Sequence, residues 1–157
     1  MWRRMRSFFR ILSRLVRKQN VTDTARIRIV SVLASKEDRR LLDEIGKRNH
    51  WDVLFADTQE EARRMSDRLK PAIVLFDRDI VGADWRYAVS TLASASAGAC
   101  VLLISRVADD YLWNEVVSYG GYDLLHKPFS EKDLHHAVKL AWSYWNGRRQ
   151  SAVLAKK

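Results

Sequence analysis

One pattern constrains this chain more than any other. From Arg26 onward a short apolar run, a helix-start signal and a stretch of helical period follow one another, and the cycle repeats five times. The runs are Ile27–Val32, Val53–Ala56, Ala72–Phe76, Cys100–Ile104 and Tyr122–Leu125. Most are continuously apolar, as strands buried on both faces must be. Three of the segments that follow them open on a hydroxyl with an acid three residues later: Ser35-Lys-Glu-Asp38, Thr58-Gln-Glu-Glu61 and Ser130-Glu-Lys-Asp133. There the hydroxyl can accept the third helical N–H while the acid reaches back to the cap. Residues 36–48 then place Leu41, Leu42 and Ile45 on one face, and residues 59–70 place Ala62, Met65 and Leu69 inward. Pro71 stops the second helix, Gly98 closes the third, and Gly120-Gly121 ends the fourth. The fifth carries Leu134, Ala137, Val138, Ala141 and Trp145 as its packing face.

Five strands alternating with five helices in about 120 residues predict an α/β domain. Its sheet is parallel, five-stranded and doubly wound, with helices on both faces. Right-handed crossovers favour the strand order 2-1-3-4-5, with the functional crevice beyond the carboxyl ends of the strands. The expected organisation is a basic amphipathic helix over 1–20, a linker over 21–25, a domain over 26–146 and a frayed tail over 147–157.

Composition narrows the class. The chain has 157 residues and a formal net charge of +9, which resembles a nucleic-acid binder until the charge is mapped. Residues 1–20 hold six Arg and Lys18 with no acid, so the rest of the chain carries only +2. The single cysteine, Cys100, excludes a disulfide framework or a multi-cysteine zinc site, and its apolar setting predicts a buried, inert thiol. His126, His135 and His136 show no metal-ligand spacing. No apolar run has transmembrane length and no signal-peptide h-region is present, so a cytoplasmic chain is expected.

Three polar residues fall at predicted strand ends: Asp77 after the third, Ser105 after the fourth, and Lys127-Pro128 after the fifth. Each alone has an ordinary reading as a turn former, a helix cap or a rim charge. Together a carboxylate, a hydroxyl and an ammonium on one rim form a usable set. The carboxylate can take a phosphoryl group, the ammonium can offset its charge, and the hydroxyl can bond one of its oxygens.

In these residues the chain resembles the receiver domains of bacterial two-component response regulators, over roughly residues 26–146. The resemblance is carried by Pro71-Ala-Ile-Val-Leu-Phe-Asp77, Val101-Leu-Leu-Ile-Ser105 and Gly121-Tyr-Asp-Leu-Leu-His-Lys-Pro-Phe129. It implies a flavodoxin-like fold, Asp77 as phosphoacceptor, Lys127 as phosphoryl-binding ammonium and Ser105 as switch hydroxyl. It also implies a cis peptide before Pro128, a metal-ligating carbonyl at Asp79, and Asp84 matching an acid common in that loop. A histidine kinase or another signalling protein would be the partner, and the domain itself would not be an enzyme.

The chain also departs from that family. Phosphorylated receivers carry two adjacent acids after the first strand, which help hold Mg²⁺. Here the alignment puts Leu33 and Ala34 there, or Ala34 and Ser35 after a one-residue shift. Glu37 is close in sequence, while the capping box commits Asp38 to the helix start. One carboxylate and a carbonyl would hold Mg²⁺ weakly, so the expectation is no cofactor or weakly bound Mg²⁺. Arg106 occupies a position usually small, and is expected to lie over the pocket and pair with Asp77 in place of the metal, or else to point to solvent. The loop Asp77–Asp84 lacks a proline usual near Val81, and Leu124 stands where signalling receivers often carry an aromatic switch residue.

Residues 2–18 put Met5, Phe8, Phe9, Leu12, Leu15 and Val16 on one helical side and Arg6, Arg10, Arg14 and Arg17 on the other. Such a helix suits an anionic membrane surface, which would make the protein peripheral at the inner face of the membrane; it equally suits a partner protein or a homodimer. No nucleic-acid reading motif is present, and no DNA-binding or catalytic output module is expected beyond residue 146. Two functions remain open. One is a stand-alone receiver in a phosphorelay, phosphorylated on Asp77. The other is a degenerate, unphosphorylated receiver that serves as a protein-binding adaptor.

Overall fold

A computed structural model describes residues 26–95 and 97–156. The expectations for residues 2–18 and 21–25 lie outside the described residues. Five strands form one parallel sheet in the order β2-β1-β3-β4-β5. They are β1 (Arg28–Val32), β2 (Asp52–Phe55), β3 (Ile73–Asp77), β4 (Cys100–Ser105) and β5 (Asp123–His126). The helices between and after them are α1 (Lys36–Arg48), α2 (Gln59–Leu69), α3 (Trp85–Ala93), α4 (Asp110–Ser118) and α5 (Glu131–Ala155).

Alternation along the strands builds two cores. Ile29, Ile73, Leu75, Leu102 and Ile104 meet Leu42 and Ile45 of α1 and Leu134, Val138 and Ala141 of α5. Their neighbours Val30, Val32, Val74, Phe76, Val101 and Leu103 meet Ala62 of α2, Val89 and Leu92 of α3 and Val116 of α4. Every residue of β3 and β4 is buried, so helices cover the sheet on both sides. That explains why these runs read as continuously apolar rather than alternating.

The hydroxyl arm of each predicted cap forms. The Ser35 hydroxyl accepts from the N–H groups of Glu37 and Asp38, Thr58 from Glu61, and Ser130 from Asp133. Of the three acids, Glu61 does reach back, but its carboxylate accepts from the N–H of Asp57 rather than from the cap residue. After α4 the chain makes the paired bonds of a Schellman ending: Gly120 N–H to Val117 O, and Gly121 N–H to Val116 O at 2.8 Å. Gly120 has φ +91°, which glycine adopts without cost.

Two helix ends differ from expectation. The third helix stops at Ala93 with Ser94 as its cap, four residues before Gly98. Ser94 closes the last turn, its N–H and its hydroxyl both on the Ser90 carbonyl, and Gly98, at φ +58°, instead turns the connection into β4 with its N–H on the Ala95 carbonyl. Residues 147–155, read as a frayed tail, continue α5 without a break. Arg148 and Arg149 lie over the rings of Tyr144 and Trp145, one turn back, and Ala, Leu, Gln and Arg are favourable helix residues. Cys100 is buried as expected; its thiol donates to the Ala141 carbonyl, and burial pushes its pKa up to about 12.

Candidate functional site

The strand register places the chemistry at one rim. Asp77 closes β3 opposite Ile104 of β4, and Ser105 closes β4 opposite His126 of β5. One residue on, the Lys127 N–H donates to the Ser105 carbonyl, and the Lys127-Pro128 peptide is cis. This turn sends the Lys127 side chain back along the rim to Asp77, where its ammonium donates to Oδ1 at 2.8 Å.

Asp77 is fully buried and its carboxylate is engaged on both oxygens. Oδ1 accepts from Lys127 and from the Asp79 N–H at 2.9 Å, and Oδ2 accepts from the Ala34 N–H at 3.1 Å. The Lys127 ammonium also meets Asp79 Oδ2 at 2.9 Å, so it bridges two carboxylates. Burial pushes the ammonium toward its neutral form. The bonds to Asp77 and Asp79 outweigh that and hold Lys127 above the usual lysine range. In return the hydrogen bond from Lys127 holds the Asp79 carboxyl below its usual range, with Arg106 and Arg78 adding to the effect.

Arg106 does not reach Asp77. Its guanidinium pairs with Asp79 Oδ2 at 3.3 Å, and its side chain is 78% exposed. The reason is geometric: Asp79 lies at the outer, half-exposed edge of the pocket, whereas Asp77 is fully buried behind Lys127 and takes its donors from Lys127 and two backbone N–H groups. The expected Arg106–Asp77 pair is therefore replaced by a chain of charges, Asp77–Lys127–Asp79–Arg106. Ser105 is buried at the same rim, but its hydroxyl accepts from the Val107 N–H at 3.1 Å and so shapes the loop. Asp84 caps α3 through the Arg86 N–H. Leu124 is buried in the core beneath α3 and α4.

Reasoning from sequence missed two participants. The Ala34 N–H carries no side-chain signal, because any residue type would supply it. The Asp79 side chain was legible in Asp77-Arg-Asp79, but only its carbonyl was considered.

These residues do not fit Mg²⁺. The cation needs several oxygen ligands in near-octahedral array. Here the end of β1 turns an N–H donor toward Asp77, and a lysine ammonium occupies the space between the two carboxylates. Among the described residues no group of three or more His, Cys, Asp and Glu could hold a metal ion.

No protein-family model and no curated protein sequence matches the chain. Solved structures do. The signal receiver domain of a Vibrio parahaemolyticus protein described as a Luxo repressor superposes with a TM-score of 0.73 at 18% identity, covering 81% of this chain and 98% of that one. The signal receiver domain of a modulated diguanylate cyclase from Desulfovibrio desulfuricans G20 gives 0.69 at 22% identity, covering 79% and 99%. The chemotaxis protein CheY4 of Vibrio cholerae gives 0.68 at 16%, covering 73% and 98%. The chain has the receiver-domain fold.

Proposed function

We propose that this chain is a receiver-type module of two-component signal transduction whose Asp77 pocket is neutralised from within. In this reading it transmits its signal by binding a signalling protein, not by Mg²⁺-assisted phosphoryl transfer. The observation that carries the proposal is the Lys127 ammonium bridging Asp77 and Asp79 at 2.8 and 2.9 Å, beside a β1 end where Leu33 and Ala34 bring no carboxylate. The ion-paired chain Asp77–Lys127–Asp79–Arg106 sets two acids against two bases, and Lys127, which would have to meet a phosphoryl group of about two negative charges, is already held between both carboxylates.

The 2.8 Å Asp77–Lys127 pair favours a second reading, in which Asp77 is the phosphoacceptor of a phosphorelay and Lys127 turns to the phosphoryl group. Ser105 would then have to release Val107 to reach a phosphoryl oxygen. The partner in both readings is a histidine kinase or another signalling protein. Residues 2–18, with seven bases and no acid, would bring the domain to an anionic membrane surface.

Magnesium titration separates the two pocket states. Trp85 lies beside the site, under the Arg78 guanidinium at 6.0 Å, and reports on the rim by its fluorescence. The proposal expects no saturable change in the millimolar range. A saturable response that Asp77→Asn abolishes would overturn it.

A further inference from the structure

At the end of the domain opposite Asp77, α5 outruns the sheet. Its 25 residues span about 37 Å, whereas a five-residue strand spans about 17 Å. After Asp133 this segment contains no acid, while Lys139, Arg148, Arg149 and Lys156 are all bases. Beside its last turns lies an open pocket of about 420 Å³ lined by Lys70, Ala97, Trp145, Arg149, Val153 and Lys156. Lys70 and Ala97 come from the loops that lead into β3 and β4, so the pocket sits at the starting edge of the strands. Val153 and Leu154 are 61% and 71% exposed among these bases.

The chain enters the domain at the same place. Arg28, the first residue of β1, donates to the Leu69 carbonyl at 2.9 Å, next to Lys70. The seven bases of residues 1–20 precede Arg26 in the chain by eight residues or more. Like charge argues against this end receiving its own N-terminal segment or a second copy of itself. Bases flanking exposed aliphatic side chains match the boundary between anionic headgroups and acyl chains. Duplex nucleic acid offers the charge but no use for Val153 and Leu154.

We propose that the C-terminal end of α5, with Lys70, is a second contact for an anionic bilayer surface, acting with the N-terminal segment. The α5 contact lies at the strand-start edge, so the domain stands on the membrane by that edge with the Asp77 rim turned away toward soluble partners. No described helix is long and apolar enough to cross a membrane, so the contact is peripheral. This inference rests on the membrane half of the preceding proposal and not on its account of Asp77.

Vesicle co-sedimentation of the full chain tests it, on phosphatidylcholine vesicles with and without phosphatidylglycerol. Four full-length variants are compared with wild type. R148Q/R149Q/K156Q removes the α5 charges. K36Q/R63Q/K132Q removes as many exposed charges near the starts of α1, α2 and α5. R6Q/R10Q/R14Q acts on the N-terminal segment. Wild type is expected to pellet only with phosphatidylglycerol, with partitioning reduced at least tenfold by the α5 variant and less than about twofold by the second. V153S/L154S, which keeps every charge, should also weaken it. Equal effects of the α5 and control variants would overturn the inference while leaving the N-terminal contact standing. Failure of wild type to pellet would remove both, as would pole-dependent binding to duplex DNA without binding to vesicles.

Discussion

At the residue scale the pocket turns on Lys127. Its ammonium is the only side-chain cation that reaches the buried carboxylate of Asp77 among the described residues. Lys127→Met leaves that charge dry and unpaired, and should destabilise the fold by about 3–5 kcal/mol in urea titrations at neutral pH. Arg106→Ala, by contrast, removes an exposed 3.3 Å pair and should cost less than about 0.5 kcal/mol. Equal costs would mean that the charge chain is not organised around the buried pair. Asp123 offers a pH test. Burial raises its carboxyl from 3.8 to about 6, against the pull of the Leu124 and Trp113 N–H donors. Between those values the folded state holds the extra proton, so stability falls as pH rises from about 4 to about 6 and stays lowered above. Asp123→Asn should flatten that fall and raise stability at pH 8 by on the order of 1 kcal/mol, since an amide oxygen keeps both donors while its NH₂ loses some solvation. An unchanged slope in denaturation curves taken across that range would contradict the assignment.

At the element scale the sequence was most legible where local chemistry and tertiary need agree. Ser35, Thr58 and Ser130 announce the starts of α1, α2 and α5, and the apolar runs announce strands covered on both faces, because one physical demand writes both signals. Helix ends were less legible. Gly98 resembled a stop for α3, but the helix ends at Ala93 and Gly98 serves the turn into β4, its N–H on the Ala95 carbonyl. Gly147 resembled the start of a tail, but Arg148 and Arg149 hold the next turn onto Tyr144 and Trp145. The Gly120-Gly121 ending is a firm element-level commitment. A Cβ on Gly121 would lie 2.5 Å from Val116 Cγ1 and 2.9 Å from the Val116 carbonyl oxygen. Gly121→Ala should therefore cost about 1–3 kcal/mol in thermal or urea unfolding, and a neutral result would mean that α4 and the approach to β5 are loosely joined.

At the scale of the whole molecule, topology did what no single residue could. Asp77 and Lys127 are 50 positions apart, and only the order 2-1-3-4-5 brings their strands' ends to one rim. That much of the site could be read from the alternation of runs and helices. The identity of the second donor to Asp77 could not, because a backbone N–H at Ala34 is set by how β1 ends and not by which residue stands there. Among the described residues the same fold sets the Asp77–Lys127–Asp79–Arg106 chain at one end and Lys70, Arg149 and Lys156 at the other. On the proposed reading, a chain with this fold would differ from a phosphorylated receiver less in its frame than in what occupies the cation's place.

Intact-mass analysis after incubation with acetyl phosphate and MgCl₂, run on wild type and Asp77→Asn side by side, probes that difference most directly. A pocket neutralised by Lys127 and the Ala34 N–H should leave both masses unchanged. A gain of one phosphoryl group by wild type and not by Asp77→Asn would contradict it.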